Sequence, residues 1–380
     1  MKISIIGTGH LGKIHCKLLS ENNLLTTNKQ VEFIGLYDAN TERASVIARE
    51  YKVKNFATVE ETILASDAVI IVVPTVNHFE IAKQCLENGK HCFIEKPVTS
   101  TVAEANELLK IAKQNPKLKV QVGHIERFNP AIKAALNHTF PSRHCERSVA
   151  IHKTEKIDCH AEAARNDGGE KDSDIVNNSS NFQPMFIEAH RLSQFRPRAT
   201  DVSVIHDLMI HDIDLVLWLV KSKIKSISAN GLSVITNTVD IANARICFEN
   251  GAVANLTASR ISANPLRKIR FFQKFCYISV DLSKPDLDIF RLAKEGENNP
   301  NAITASMLGA IDNLDELDNA NIFKNNINIV FEKPKIIPTN AIAEEQNTFI
   351  TSILDNTEPL VTLEQATAAL EVAEEIMKQV

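Results

Sequence analysis

A lysine, an aspartate and a histidine are the side chains of this sequence best placed to do chemistry. Lys96 directly follows the apolar run 92–94 and Glu95, whereas Asp207 and His211 lie four residues apart in a second apolar segment. Residues four apart share one face of a helix, and a carboxylate one turn from an imidazole can orient it and raise its basicity. The spacing predicts that His211 acts as a general acid/base held by Asp207.

The same segment has a second interpretation, in which His206-Asp207 and His211-Asp212 supply metal ligands. His206 and His211 are five residues apart, about 140° around a helix, so their rings diverge. A solvated surface ion pair is also disfavoured, because the flanking residues are nearly all apolar. We therefore favour acid/base chemistry and predict no metal site.

A glycine-rich turn, Gly7-Thr8-Gly9-His10-Leu11-Gly12, follows the apolar run 3–6 and precedes a helical pattern. In that context the first glycine permits the tight turn, the second lets a pyrophosphate approach, and the third lets the helix pack close to the strand. The free N–H groups and the positive end of the helix dipole then face the phosphates. Together with Lys96, the turn predicts a nicotinamide dinucleotide with an ammonium group near its reactive end.

An acidic residue, Asp38, ends the next apolar strand pattern, 31–37. A carboxylate at this position can accept hydrogen bonds from the adenosine ribose and would repel the 2′-phosphate of NADP. The sequence therefore predicts NAD as the cofactor. Arg43 is close enough in sequence to leave NADP open.

Strands and helices alternate over residues 1–130, with helical patterns at 44–51, 78–88 and 101–114 and strand patterns at 68–73, 91–94 and 119–122. Alternation of this kind predicts a parallel sheet covered by helices on both faces, with ligands at the carboxyl ends of the strands. The predicted cofactor contacts are Gly7, Gly9, His10, Leu11, Gly12, Asp38, Pro74, Thr75, His78, Glu95 and Lys96.

Beyond Lys221 the pattern changes to successive strands, at 224–228, 242–248, 253–259, 269–272 and 277–282. Strands without intervening helices, with a hairpin signal at Asn250-Gly251, predict an open and largely antiparallel sheet. The fold class is therefore α/β. An N-terminal Rossmann domain is expected at 1–130 and a second α/β domain at 184–380.

The segment 138–183 is polar and lacks apolar periodicity, so we predict a disordered insertion. It holds several potential zinc ligands but no C-x-x-C pair, and their spacing is poor for a metal knot. These residues are His144, Cys145, His152, Cys159 and His160.

The composition of the chain limits the kinds of partner that it can bind. The net charge of −5 argues against nucleic acid or an anionic membrane as the main partner, and every apolar run is too short to span a bilayer. The seven cysteines are odd in number and scattered, which is typical of reduced thiols in a cytoplasm rather than of a disulfide framework.

As a set, these motifs resemble those of the Gfo/Idh/MocA oxidoreductases, the family named for glucose–fructose oxidoreductase and inositol dehydrogenase. The resemblance rests on the glycine turn, on Glu95-Lys96-Pro97, on 123–130 (GHIERFNP), on Asp207 with His211, and on 248–251 (FENG). A narrower likeness, in 126–130, 201–204 and 211–214, is to the branch that oxidises UDP-N-acetylglucosamine.

The resemblance implies a hydride transfer between the nicotinamide and a sugar or nucleotide-sugar hydroxyl. It implies that Lys96, Asp207 and His211 form the catalytic set, with Lys96 stabilising alkoxide charge and Lys96–Pro97 a candidate cis bond. Arg127 and Arg191 become candidates for substrate phosphate, and the open sheet becomes a candidate contact in a homo-oligomer. Two alternatives stay open, a catalytically inactive dinucleotide sensor and a reductase of a non-sugar substrate.

Overall fold

The structure, a computed structural model, describes residues 1–21, 31–138, 182–195, 202–293, 302–303 and 329–380. Nearly all of the predicted insertion, including its candidate zinc ligands, lies outside the described residues. Within these ranges, no helix is both long enough and apolar enough to cross a membrane. The same ranges hold no group of three histidine, cysteine or acidic side chains that could bind a metal ion.

The N-terminal part is a six-stranded parallel sheet in the order β3-β2-β1-β4-β5-β6. This order is that of a dinucleotide-binding fold, and the predicted Rossmann sheet is confirmed. The elements are β1 Lys2–Ile6, α1 His10–Ser20, β2 Glu32–Tyr37, α2 Thr41–Tyr51, β3 Lys54–Asn55, α3 Val59–Ala65, β4 Ala68–Ile71, α4 His78–Glu87, β5 His91–Glu95, α5 Val102–Gln114, β6 Val120–Gly123 and α6 Pro130–Asn137.

Local sequence explains where these elements begin. The strands are short apolar runs, and all four residues of β4 are fully buried, as a sheet covered on both faces requires. Helices α2 and α3 start at Asn40 and Thr58, whose side chains accept hydrogen bonds from the first turn. Thr101 and Glu104 form a capping box at the start of α5.

The C-terminal part is a nine-stranded sheet in the order β14-β15-β13-β12-β11-β7-β10-β9-β8. All its neighbouring strands pair antiparallel except β7 and β10, which pair parallel, so the predicted open, largely antiparallel sheet is confirmed. The strands are β7 Phe186–Leu192, β8 Ile224–Leu232, β9 Ile241–Phe248, β10 Val253–Ser259, β11 Leu266–Gln273, β12 Cys276–Asp281, β13 Asp286–Leu292, β14 Ala302–Ile303 and β15 Ile329–Glu332.

Helices from the second half of the chain bind the two sheets together. A π-helix, Ile205–Met209, leads into α7, Ile210–Val220, and the chain ends with α8, Ala341–Leu354, and α9, Leu363–Met377. On α8, Phe349 contacts Phe93 of β5 edge to face, with ring centroids 5.9 Å apart. The backbone carbonyl of Glu345 accepts a hydrogen bond from the Gln121 side chain of β6. Lys96, which follows β5, hydrogen-bonds to Asp207 of the π-helix, and Arg127, shortly after β6, pairs with Asp214 of α7. We call the place where these four elements meet the junction.

Candidate active site

The glycine turn between β1 and α1 has the geometry of a pyrophosphate cradle. Gly7 has φ +97°, and a Cβ there would lie 2.2 Å from the carbonyl oxygen of Val72. A Cβ at Gly12 would lie 2.1 Å from the Gly7 carbonyl oxygen, whereas one at Gly9 would meet no atom within 4 Å. No described side chain caps the start of α1, so its first N–H groups are free for an anion. These features fit NAD, whose pyrophosphate would be held by the backbone of Gly9, His10 and Leu11.

Asp38 lies at the end of β2, as predicted, but its carboxylate is already paired. It accepts hydrogen bonds from the backbone N–H of Thr8 at 2.6 Å and of Asn40 at 2.7 Å. Arg43 Nη2 donates to Asp38 Oδ1 at 2.8 Å. Burial would raise the pKa of Asp38, yet the hydrogen bonds from Arg43, Thr8 and Asn40 hold it below its usual value. The adenosine end of the site therefore presents an Asp38–Arg43 pair rather than a lone carboxylate.

Three of the predicted cofactor contacts lie in the segment after β4. Two of them, Pro74 and Thr75, are at least partly exposed, whereas His78 is buried. Pro74 is exposed and Thr75 half-buried, so both can line a bound dinucleotide. His78 is buried, and its ring nitrogens lie 2.8 Å from the carbonyl oxygen of Pro97 and 2.9 Å from that of Val73. His78 therefore supports the loop around Pro97, and its predicted contact with the cofactor stays a prediction.

Glu95 also faces the protein interior. Its Oε1 lies 3.0 Å from His15 Nε2 of α1, and its Oε2 accepts a hydrogen bond from the backbone N–H of Lys96 at 3.2 Å. A Cβ at Gly123, on the neighbouring strand, would lie 2.9 Å from Glu95 Oε2. A larger residue at position 123 would displace this carboxylate, which holds the segment that carries Lys96 through its hydrogen bond to the Lys96 N–H. The Lys96–Pro97 bond is cis, as suggested above.

Lys96 bridges the two halves of the chain. Its Nζ donates hydrogen bonds to the carbonyl oxygen of Asp207 at 2.7 Å and to Asp207 Oδ1 at 3.3 Å. An ammonium group has three N–H donors, so one remains for an oxygen of a bound molecule. The structure therefore corrects the predicted role of Asp207, because its carboxylate pairs with Lys96 and no hydrogen bond joins it to His211 within the described residues.

His211 begins the first turn of α7, beside the π-helix, a structure that is rare and often found at functional sites. Its Nδ1 is shielded from solvent and has no hydrogen-bond partner in the described part of the chain. Burial, and then the charges of Lys96 and Arg191, hold the pKa of His211 well below its usual value. The imidazole is therefore neutral at pH 7 and can accept a proton.

The two arginines predicted to bind substrate phosphate are structural instead. Arg127 donates from Nε and Nη2 to the two carboxylate oxygens of Asp214, at 2.8 and 2.6 Å. Arg191 forms the same two-pronged pair with Asp212, and its Nη1 donates to Glu126 at 2.8 Å. Both guanidinium groups are buried and have carboxylate partners, so neither is available to a phosphate. They tie β6 and β7 to α7.

One residue of the junction was not predicted as a functional residue. His124 directly follows β6, is 1% exposed, and has neither ring nitrogen hydrogen-bonded within the described residues. The position of His124 could have been found from the sequence. His124 comes shortly after the predicted strand 119–122, just as Lys96 comes shortly after the predicted strand 91–94. Glu95 and Gly123 are paired across β5 and β6, which puts the two following residues side by side.

Comparisons with known proteins agree with this geometry. Residues 1–124 match an oxidoreductase family with an NAD-binding Rossmann fold, and residues 177–273 match the Gfo/Idh/MocA C-terminal domain. UDP-N-acetylglucosamine 3-dehydrogenase of Acidithiobacillus ferrooxidans is 33% identical over 290 residues, which cover 76% of this chain and 77% of that protein. Its solved structure superposes with a TM-score of 0.74 at 28% identity, covering 100% of this chain and 97% of that one.

Two further relatives act on, or are bound to, an inositol. The scyllo-inositol 2-dehydrogenase (NAD(+)) of Bacillus subtilis is 27% identical over 277 residues, 69% of this chain and 68% of that protein. A scyllo-inositol dehydrogenase of Lactobacillus casei, solved with NAD(H) and scyllo-inositol, shares the fold with a TM-score of 0.67 at 18% identity, over 100% of this chain and 96% of that one. With both domains matched and a relative above 30% identity, this chain belongs to the Gfo/Idh/MocA family of NAD-dependent oxidoreductases.

Proposed function

We propose that this oxidoreductase oxidises the C3 hydroxyl of the sugar of UDP-N-acetylglucosamine. The observation that supports the proposal is the hydrogen bond from Lys96, which follows β5, to the backbone carbonyl of Asp207, four residues before His211, together with the lowering of the pKa of His211 by the charge of Lys96. The choice of sugar is supported by the relative from Acidithiobacillus ferrooxidans, which matches 76% of this chain.

In the proposed reaction, His211 accepts the proton of the sugar hydroxyl. A neutral imidazole is required for this step, and the lowered pKa of His211 supplies it. NAD, when bound, supplies the acceptor for the hydride that leaves the carbon bearing this hydroxyl. Lys96 places its remaining N–H near the oxygen and stabilises the negative charge that develops there.

Asp207 acts through Lys96 in this mechanism. Its carbonyl and carboxylate oxygens fix the ammonium group at the junction, which removes much of the conformational freedom of a long lysine side chain. Asp207 is therefore a positioning residue rather than the partner of His211.

A different arginine is placed to receive the diphosphate of a nucleotide sugar. Arg267 of β11 is paired across the sheet with Arg191 and so lies on the same face. Its side chain is exposed and forms no ion pair with the described residues. Its charge also helps to lower the pKa of His211, after the larger effects of burial, Lys96, Arg191 and His124. A free guanidinium group suits bidentate phosphate binding.

The proposed function is tested by following NADH formation with a panel of sugars. We expect turnover with UDP-N-acetylglucosamine to exceed turnover with scyllo-inositol and glucose 6-phosphate, and mass spectrometry to find a 3-keto product. Arg267→Gln should raise KM for the UDP-sugar about tenfold while leaving KM for scyllo-inositol unchanged, because only the former carries phosphate. Turnover confined to a sugar without phosphate would contradict the proposal.

The outer face of the C-terminal sheet supports a homo-oligomer. Five half-buried aromatic rings form a continuous ladder across it, with centroid separations between 4.8 and 5.8 Å. They are Phe186, Phe272, Tyr277, Phe290 and Phe331. A patch of this kind is costly to leave in water and complementary to a second copy of itself. Light scattering should therefore give a dimer or larger assembly, which Tyr277→Arg should dissociate.

A cytoplasmic location belongs to the same proposal. The five described cysteines are free thiols, and Cys16, Cys85 and Cys92 are buried, as expected for a protein of a reducing compartment. Fractionation of cells that express the chain, followed by immunoblotting, checks the location.

A further inference from the structure

His124 lies beside the reaction centre without taking part in any contact described so far. It leaves the carboxyl end of β6 in register with Lys96, which leaves β5. It also lies near both proposed catalytic groups, because the charge of Lys96 lowers the pKa of His124, and a proton on His124 would disfavour a second proton on His211. The ring is therefore a buried neighbour of the two groups on which the proposed reaction depends.

The unusual feature of His124 is that both of its ring nitrogens are buried and unpaired. Nδ1 and Nε2 have no hydrogen-bond partner among the described residues. The nearest carboxylate oxygen, Asp214 Oδ2, is 4.0 Å from Nδ1 and already accepts a hydrogen bond from Arg127. Buried polar atoms are nearly always hydrogen-bonded, so two such atoms on one side chain need an explanation.

Packing alone does not explain a histidine here. A phenylalanine would fill a similar volume without leaving polar atoms unpaired, and would therefore be the more stable choice for a purely structural position. Asp214 does not need His124 as its counter-ion, since it already has a two-pronged ion pair with Arg127.

The charge state of the ring says what it can recognise. Burial is the main reason that the pKa of His124 lies below its usual value, and the charges of Arg127 and Lys96 lower it further, against the opposing influence of Asp214 and Glu95. The ring is therefore neutral and offers one N–H donor and one acceptor nitrogen. A sugar hydroxyl, which both donates and accepts, matches this pair.

We propose that a ring nitrogen of His124 hydrogen-bonds an oxygen of the bound sugar next to the oxygen on which Lys96 and His211 act, which makes His124 a specificity-determining residue. The inference rests on the proposed function in that it requires a polyhydroxylated substrate. It does not require that the sugar be UDP-N-acetylglucosamine.

The test compares His124→Phe with His124→Gln and with a control ring at the other end of the same sheet. His91, at the start of β5, accepts a hydrogen bond from the backbone N–H of Lys119 and is remote from the junction along its strand. Each variant is measured by calorimetry for NAD affinity and for affinity of UDP-N-acetylglucosamine to the enzyme–NADH complex, and by thermal unfolding.

We expect His124→Phe to weaken sugar binding about tenfold, the effect of leaving a substrate hydroxyl unpaired, with NAD affinity within twofold. Its Tm should equal or exceed that of the wild type, because two unpaired buried atoms are removed. His124→Gln should recover part of the affinity, and His91→Phe should leave sugar affinity unchanged.

A lower Tm for His124→Phe with unchanged sugar affinity would overturn the proposal in favour of a structural role. Weakened NAD binding would overturn it in favour of a cofactor contact. If the wild type binds scyllo-inositol or glucose 6-phosphate but not the UDP-sugar, the proposed function fails, and the same variants decide the role of His124 with the sugar that binds. If it binds none of the three, both proposals fail.

Discussion

Two groups of polar side chains meet at the junction, and they differ in how completely they are paired. In the first group, Arg127 and Arg191 each form a two-pronged ion pair with a carboxylate, and all four side chains are buried. In the second, counting partners only among the residues that the structure describes, Lys96 keeps one N–H donor to spare, and His211 and His124 hold unpaired nitrogens. The groups are close enough in space that their charges influence one another.

The fully paired group maintains the fold, whereas the incompletely paired group is available for chemistry. A buried charge is tolerated only when it is paired, so the first group fixes how α7 sits against β6 and β7. Unpaired buried atoms cost stability and persist where a ligand completes them. Substitutions in the first group should therefore reduce stability, whereas substitutions in the second should reduce activity.

After substitution of His211, the largest effect on activity is expected from Lys96→Met. The change removes the cation that stabilises the developing alkoxide, so turnover should fall by ~10²–10³. NAD affinity should stay within a few fold because the glycine turn is untouched. Steady-state turnover and NAD titration measure both quantities, and a variant with near-normal turnover would show that Lys96 does not contact the reacting oxygen.

The largest effect on stability is expected from Arg127→Met. The variant leaves Asp214 buried without its partner, so the free energy of unfolding should fall by about 3–5 kcal/mol. The double variant Arg127→Met/Asp214→Leu should recover most of this loss, since no buried charge remains. Denaturant titration measures both variants. If Arg127→Met has normal stability but binds the UDP-sugar more weakly, Arg127 binds the substrate phosphate rather than maintaining the fold.

The pH dependence of kcat/KM reports on His211. Oxidation needs the neutral ring, and the pKa of His211 lies well below 6.5 because of burial first and the charge of Lys96 second. Activity should therefore be lost only as the pH falls well below 6.5. In Lys96→Met, one depressing charge is gone, and the acid limb should move upward. An acid limb at or above 6.5 in the wild type would contradict the assignment.

The smallest effect is expected at the adenosine end, where the Asp38–Arg43 pair is half open to solvent. We expect the wild type to bind NAD more tightly than NADP. Asp38→Ala should narrow the difference by about fivefold and Arg43→Ala should widen it by a similar factor, as for a solvent-screened charge pair. Titration of both cofactors gives the ratios. A wild type that prefers NADP would show that Arg43, not Asp38, is the discriminator.

The sequence was sufficient for the features that depend on local patterns. Apolar runs ending in Gly7, Asp38 or Lys96 located the carboxyl edge, because a parallel sheet brings those ends together whatever the loops do. Confirmed in this way are the α/β class, the Rossmann sheet and the open antiparallel sheet.

Partners distant in sequence could not be predicted. Arg127 and Asp214 are 87 residues apart, and Lys96 and Asp207 are 111 apart, so residue type alone shows a charge without showing what neutralises it. The helical spacing of Asp207 and His211 suggested a pair, but the π-helix and the nearby ammonium group changed the partner of Asp207. The sequence therefore suggested phosphate binding for Arg127 and Arg191, which form ion pairs within the fold.

The most direct test of the acid/base assignment compares His211→Ala with His206→Ala in turnover of UDP-N-acetylglucosamine. Both residues lie on the same short segment, but within the described part of the chain only His211 has a buried nitrogen without a hydrogen-bond partner. We predict that His211→Ala lowers turnover by ~10²–10⁴, the scale for loss of a general base, and that His206→Ala stays within a few fold with no dependence on added divalent metal. Equal losses in the two variants, or a requirement for metal, would contradict the account.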